Sequence, residues 1–144
     1  MPNSDRYSKG FTLAELLIAV FVIGVLSAVA IPYMKGRVDS SKWAEGKATA
    51  VSIRTAADAY RKEKGGKFDF SSSTIQDLGF TANLKQPGGD LDGKYFTDDC
   101  YSIKFSKNGN FVIMIDASKS QSGNPPSKPH KMSLDNTGTF TEIP

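Results

Sequence analysis

Cysteine, histidine and tryptophan each occur once, as Cys100, His130 and Trp43. One thiol allows no intramolecular disulfide, and no cysteine-based metal site can form within a single chain. One histidine, in a stretch that also holds Pro125, Pro126 and Pro129, reads as a solvated residue rather than a base. Cys100 stands at the head of an alternating apolar stretch and reads as a small buried hydrophobe rather than a nucleophile. No phosphate-cradling loop, nucleophile elbow or metal-protease pattern is present. Excess charge of one sign is also lacking. The 18 Lys and Arg residues against 15 Asp and Glu leave +3, spread along the chain. That balance indicates neither a nucleic-acid partner nor a basic tail. No internal repeat is visible. These absences point away from an enzyme and call for no cofactor.

What the chain has is one long apolar run. From Leu16 to Met34 there is no charged side chain. A helix from Phe11 to Met34 would be roughly 36 Å long, enough to cross a hydrocarbon core of about 30 Å. Glu15 is the anomaly at its start. A carboxylate within a membrane costs on the order of 3 kcal/mol, less near a helix end. The Leu, Ile, Val and Phe residues between Leu16 and Ile31 return roughly 3–7 kcal/mol, so insertion survives Glu15. An ionisable residue kept in a span is a functional hypothesis and needs a partner. A cleavable signal peptide is the competing reading: Arg6 and Lys9 supply a basic start, and Ala28-Val29-Ala30 fits the small-x-small pattern. Against it, Glu15 interrupts the apolar segment and helical character continues past Ala30. A plain membrane anchor explains the apolarity but not a Gly10-Phe11 junction with an acid four residues later.

Gly10-Phe11-Thr12-Leu13-Ala14-Glu15-Leu16-Leu17 resembles the processing site of the type IV prepilin and pseudopilin family. Members carry a short polar leader ending in Gly, then Phe-Thr-Leu, an acid and a hydrophobic helix. The resemblance covers the first quarter of the chain closely and the remainder in architecture. Gly24 and Pro32 stand where many members carry helix-loosening residues. Ala14 departs from the bulkier aliphatic residue common before the acid, and the single cysteine departs from members that close a C-terminal disulfide loop. The resemblance implies cleavage between Gly10 and Phe11 by a prepilin peptidase and N-methylation of Phe11; the amine so created on a neighbouring subunit is the partner Glu15 needs, so Glu15 is expected to set assembly register. The resemblance also implies a homo-oligomeric helical filament, an inner-membrane pool of precursor and subunits, and an assembly platform as partner. The filament is either a cell-surface pilus, which is favoured, or a periplasmic pseudopilus of a type II secretion system. A signal-anchored binding protein that never polymerises is the alternative of another class.

Residues 1–10 form the leader, 11–34 the membrane and polymerisation helix, 35–64 its amphipathic half, and 65–144 a globular head. Within the leader, Lys9 and Arg6 favour a cytoplasmic end, offset by Lys35 and Arg37 on the other flank. A side chain is absent at Gly10, which lets a peptidase approach the backbone. The helix is expected to run to about Lys64, roughly 80 Å if unbroken. Pro32 should kink or loosen it without ending it. Trp43, Ala50, Ile53, Ala57 and Tyr60 form one stripe, predicted to lie on a sheet. Ala44, Ala48, Val51, Thr55 and Ala59 form a second, small-residue stripe, read either as a close-packing surface or as helix propensity alone. Gly65-Gly66 closes the helix.

Residues 65–99 read as a connecting region. Ser73 with Gln76 reads as a capping box for a short turn through Leu78, closed by Gly79. Pro87-Gly88-Gly89 marks a loop. Asp90, Asp92, Asp98 and Asp99 are weak calcium candidates; the pattern lacks a full ligand loop with its closing Glu, so solvated acids are favoured and no metal is expected. From Cys100 the period changes to two. Tyr101, Ile103 and Phe105 turn through Asn108-Gly109, expected as type I′, into Phe111, Ile113 and Ile115. A Pro-bearing loop from Ser118 to Pro129 precedes Met132 and Leu134, and Asn136-Thr137-Gly138 turns into Phe140 and Ile143. The fold class is therefore α+β: a long helix on an antiparallel sheet of about four strands.

Overall fold

The computed structural model describes residues 10–65, 69–81 and 88–144. The leader residues before Gly10, together with Gly66 and Pro87, lie outside the described residues. The chain divides into two units, residues 1–36 and 37–144. One helix, α1 (Leu13–Lys64), supplies residues to both.

In the first unit every described side chain is exposed. Leu16, Leu17, Ile18, Phe21, Ile23, Val29 and Ile31 are among the exposed apolar residues, so this unit by itself buries none of them among the described residues. The helix is long and apolar enough to cross a membrane. It begins at Leu13 rather than Phe11, because Thr12 caps it. It passes through Pro32, whose missing N–H can cost one bond to the carbonyl four residues earlier.

In the second unit α1 continues to Lys64 and stops where expected. Gly65 takes φ 72° and its N–H donates to the Arg61 carbonyl. A left-handed residue at this point costs glycine nothing and other residues more than a kcal/mol, about 1–2. Four strands follow in an antiparallel meander, β1 (Tyr101–Phe105), β2 (Phe111–Asp116), β3 (Lys131–Asp135) and β4 (Phe140–Ile143), in spatial order β1-β2-β3-β4. The register aligns Ile103 with Ile113, Ile113 with Leu134, and Leu134 with Phe140. That row, with Tyr101, Ile115 and Met132 on one side and Phe105 and Phe111 on the other, is the inner face. Alternation sends Ser102, Lys104, Val112 and Ser133 outward. Ile143 pairs with Lys131, three residues from Phe140 and so on the opposite face.

The predicted stripe on α1 covers this sheet. Trp43, Ala50, Ile53 and Ala57 are buried, and Tyr60 packs at the margin. The second stripe, Ala44, Ala48, Val51, Thr55 and Ala59, is exposed throughout. Gly46 is buried on the covered side because the Phe96 ring presses on it; a Cβ there would stand 2.9 Å from the ring. The connecting region contributes more to the core than its turn-rich composition suggested. Phe70, Ile75, Leu91 and Phe96 are all buried, with Phe70 stacked on Phe105 and Phe96 against Trp43.

Two turn readings need correction. The Ser73–Gln76 capping box of the short turn at Gln76–Leu78 does not form: the Thr74 N–H and hydroxyl both donate to Asp77 Oδ2, the N-cap position is Ile75 without a side-chain bond, and Ser73 closes the preceding 3₁₀ turn, Phe70–Ser72. Gly79 ends it with φ 91°, as read. The β1–β2 turn is not type I′, since Asn108, like every other non-glycine among the described residues, lacks the positive φ that turn needs. Its Gly109 N–H donates to Ser106 O and Gly109 alone is left-handed, the three-residue hairpin loop with a bulge glycine. The β3–β4 turn repeats the pattern with Gly138 and Asp135.

Candidate processing and assembly site

Gly10, Phe11 and Thr12 lie ahead of the helix, and Phe11 is 86% exposed. The reason is a capping box. The Thr12 N–H donates to Glu15 Oε2 at 2.8 Å and the Thr12 hydroxyl to the same oxygen at 2.7 Å, while the Glu15 N–H donates to Thr12 Oγ1 at 3.2 Å. A Thr followed three residues later by Glu satisfies amides that the first helical turn leaves without partners. The carboxylate also sits at the positive end of the helix dipole. Glu15 therefore has a partner within its own chain, which the sequence reading missed although T-x-x-E is the local signal for it. Oε1 accepts no bond from a described residue, so half of the carboxylate remains open to a donor from elsewhere. Gly10 and Phe11 stay outside the helix, an arrangement in which a protease can engage the backbone on both sides of the bond.

Gly24 and Pro32 lie on the exposed helical stretch of the first unit, with open space around a Cβ at Gly24. Of the four acidic candidates of the head, Asp90, Asp92 and Asp99 serve as hydrogen-bond acceptors, and Asp98 meets Asp92 through its backbone N–H. Asp92 accepts from the Gly88 and Gly89 amides and, at 2.7 Å, from that of Asp98. Burial pushes Asp92 up, yet these amides together outweigh it and hold the carboxyl below its ordinary range. Asp90 accepts from Thr81 N–H at 2.7 Å, and Asp99 accepts from the Gln121 side-chain amide. Asp98 is buried and Asp92 and Asp99 half-buried, which corrects the reading of solvated acids for Asp98, while Asp90 is exposed as that reading had it. Backbone amides fold this loop where a solvated loop would leave them to water. Among the described residues, no group of three or more His, Cys, Asp or Glu side chains is placed to hold a metal ion.

Cys100 is buried, and that burial pushes its thiol pKa up. His130 is exposed. Sequence reasoning missed a group of polar contacts on one side of α1. Asp39 Oδ2 accepts from Ser127 N–H and Lys128 N–H, each at 3.1 Å, and from the Ser127 hydroxyl. Lys42 Nζ donates to Asn124 Oδ1 at 2.7 Å, and Trp43 Nε1 to Pro129 O at 3.0 Å. Glu45 Oε1 accepts from the Tyr95 and Phe96 amides. The Ser127 hydroxyl is the chief cause that holds the Asp39 carboxyl low, against its partial desolvation. These partners are separated by fifty or more residues, so no local pattern announces them.

Residues 5–31 match the profile of the prokaryotic N-terminal methylation motif. The chain is similar to the type II secretion system core protein G of Pseudomonas aeruginosa, 30% identical over 69% of this chain and 66% of that protein. It is similar to the type IV major fimbrial protein FimA of Dichelobacter nodosus, 32% identical over 72% of this chain and 69% of its relative. It also resembles the type IV major pilin PilA of Myxococcus xanthus, 38% identical over 45% of this chain and 30% of that protein. The chain thus spans under two thirds of the length of some of these relatives. No solved structure matches. The relatives are pilin and secretion proteins rather than enzymes, and the helix-on-sheet fold agrees with them. With the methylation motif in place and FimA aligned over more than two thirds of its length, the chain belongs to the type IV pilin and type II secretion pseudopilin family.

Proposed function

We propose that this chain is the structural subunit of a type IV pilus, cut between Gly10 and Phe11 by a prepilin peptidase and methylated on the new amine of Phe11. The observation that carries the reading is a helix whose apolar first half is exposed at every described residue, headed by the Gly10–Glu15 motif. So much exposed apolar surface is stable only in a lipid bilayer or against other copies. The subunit waits in the inner membrane and is then moved by an assembly platform into a helical filament with the apolar helices inside. Gly24 and Pro32 loosen the helix for that packing.

Cleavage creates a cation at Phe11, since a secondary amine is protonated near neutral pH. In the filament core Glu15 accepts this amine from a neighbouring subunit and so sets the axial register. An unpaired charge there would be very costly, whereas a paired one offsets much of its desolvation. The open Oε1 lets Glu15 take the neighbour's amine while Oε2 keeps its own helix capped. A pseudopilus of a type II secretion system is the second reading, favoured by the similarity to core protein G. Electron microscopy of material sheared from cells, with mass spectrometry of its subunit, tests the proposal. Surface filaments built of this chain support the pilus. Filaments confined to the periplasm would move the assignment to the pseudopilus, and membrane monomers alone would remove both.

A further inference from the structure

We infer that residues 120–130, between β2 and β3, form a strap that opens as a unit while α1 and the sheet stay folded. Its neck is closed by one backbone bond, Ala117 N–H to His130 O at 2.8 Å. Beyond the neck only Pro126 is buried, so the strap places almost no apolar surface in the core. It is held instead by polar latches at both ends. At one end the Ser120 and Ser122 hydroxyls each donate to Tyr95 O at 2.8 Å, and Gln121 N–H donates to Thr97 Oγ1 at 3.2 Å. At the other end α1 holds Asn124, Ser127, Lys128 and Pro129 through Lys42, Asp39 and Trp43.

A segment held by side-chain hydrogen bonds and little apolar burial has a lower opening free energy than the core it covers. The sheet beneath does not depend on the strap. β1, β2 and β3 pair through their own ladder, and Ile113, Ile115 and Leu134 belong to a hydrophobic cluster that includes no residue of the strap. What the strap does cover is the region of Cys100. Thr97 Oγ1, held by Gln121, lies 3.9 Å from Cys100 Sγ, and the thiol is 2% exposed. Opening the strap removes Gln121 and Ser120 from this corner and the carbonyl partner from Trp43. The head therefore carries a movable element directly beside the helix segment that follows the apolar stretch.

Cys100 is the only thiol, so its alkylation reports on one site. The test uses the full chain in lipid nanodiscs, labelled with N-ethylmaleimide over a series of low urea concentrations, with amide exchange of Ile113 followed in parallel. A strap predicts labelling faster than exchange at Ile113 and only weakly dependent on urea. Asp39→Ala deletes an ionised acceptor of three bonds and should raise the labelling rate roughly 10–100-fold, the equilibrium weight of hydrogen bonds to a charged group. Protection at Ile113 should change far less. Should Asp39→Ala fail to fold, Ser127→Ala removes a single donor and should give a smaller increase of the same kind. The inference is overturned if labelling in the parent and in the folded variants follows the urea dependence of Ile113 exchange, because Cys100 is then exposed only when the whole head unfolds.

Discussion

Gly46 sits in the middle of α1, where glycine is a poor choice by local energetics. Replacing an exposed helical glycine by alanine stabilises a protein by about 1 kcal/mol. Here the structure reverses the sign. An added Cβ would lie 2.9, 3.0 and 3.2 Å from three atoms of the Phe96 ring, closer than van der Waals contact allows. The ring has nowhere to go: it is fully buried, 5.0 Å from Trp43 and 6.2 Å from Tyr101 between centroids. Forcing a methyl group into such packing costs about 1–3 kcal/mol. Set against the propensity gain of about 1 kcal/mol, the cost leaves Gly46→Ala destabilising by up to about 2 kcal/mol, or up to several degrees in Tm for a domain of this size. Urea unfolding of a fragment beginning at Lys35 measures it. Phe96→Leu should then partly rescue Gly46→Ala, a positive coupling in a double-mutant cycle. A stabilised Gly46→Ala protein, or strict additivity with Phe96→Leu, would refute the packing argument.

The same fragment should be soluble and folded, because α1 from Asp39 onward and the sheet cover each other. Ile53→Asp places an unpaired charge in the core and should unfold it, lowering stability by more than about 4 kcal/mol, as circular dichroism would show. Asp39 makes stability fall in acid. Its folded pKa is depressed, so its contribution is fully present above the unfolded value near 4 and is lost as pH falls through the lower folded value. Asp39→Asn should therefore flatten the pH dependence of urea midpoints below about pH 4; an unchanged profile would remove Asp39 from the account. For assembly, Glu15→Gln keeps an acceptor for Thr12 but loses the charge, whereas Glu15→Ala loses both. Both should be inserted and cleaved yet yield few filaments when expressed alone. Normal yield from the Gln variant would assign Glu15 to capping only.

The parts of this fold legible in the sequence were those with a period or a turn chemistry of their own. Alternation from Tyr101 located the strands, the 3–4 spacing of Trp43, Ala50, Ile53 and Ala57 found the buried face of α1, and Gly65, Gly79, Gly109 and Gly138 marked places where the chain reverses or stops. The misreadings share one cause, a choice among neighbours that only three-dimensional contacts decide. Thr74 and Asp77 made the side-chain bond ahead of this turn that Ser73 and Gln76 could equally have made. Asn108 kept ordinary backbone angles because Gly109 alone supplied the left-handed residue. Phe70 and Phe96, inside a turn-rich stretch, have no periodic neighbours to betray their burial. Asp39, Lys42 and Glu45 look like the charged face of a helix, and become structural only because loops 50–89 residues away return to them. At the candidate site the N-terminal motif itself was legible, but Glu15 looked partnerless because the capping role of Thr12 was overlooked beside the membrane argument.

The central claim is that the chain is processed at Gly10-Phe11, and the mass of the mature N-terminus tests it most directly. The protein isolated from membranes or filaments should begin at Phe11 and carry one added methyl group, while Gly10→Val should leave the precursor uncut. An N-terminus at Ile31, after the Ala28-Val29-Ala30 sequence, or an intact leader in the assembled protein, would contradict the account.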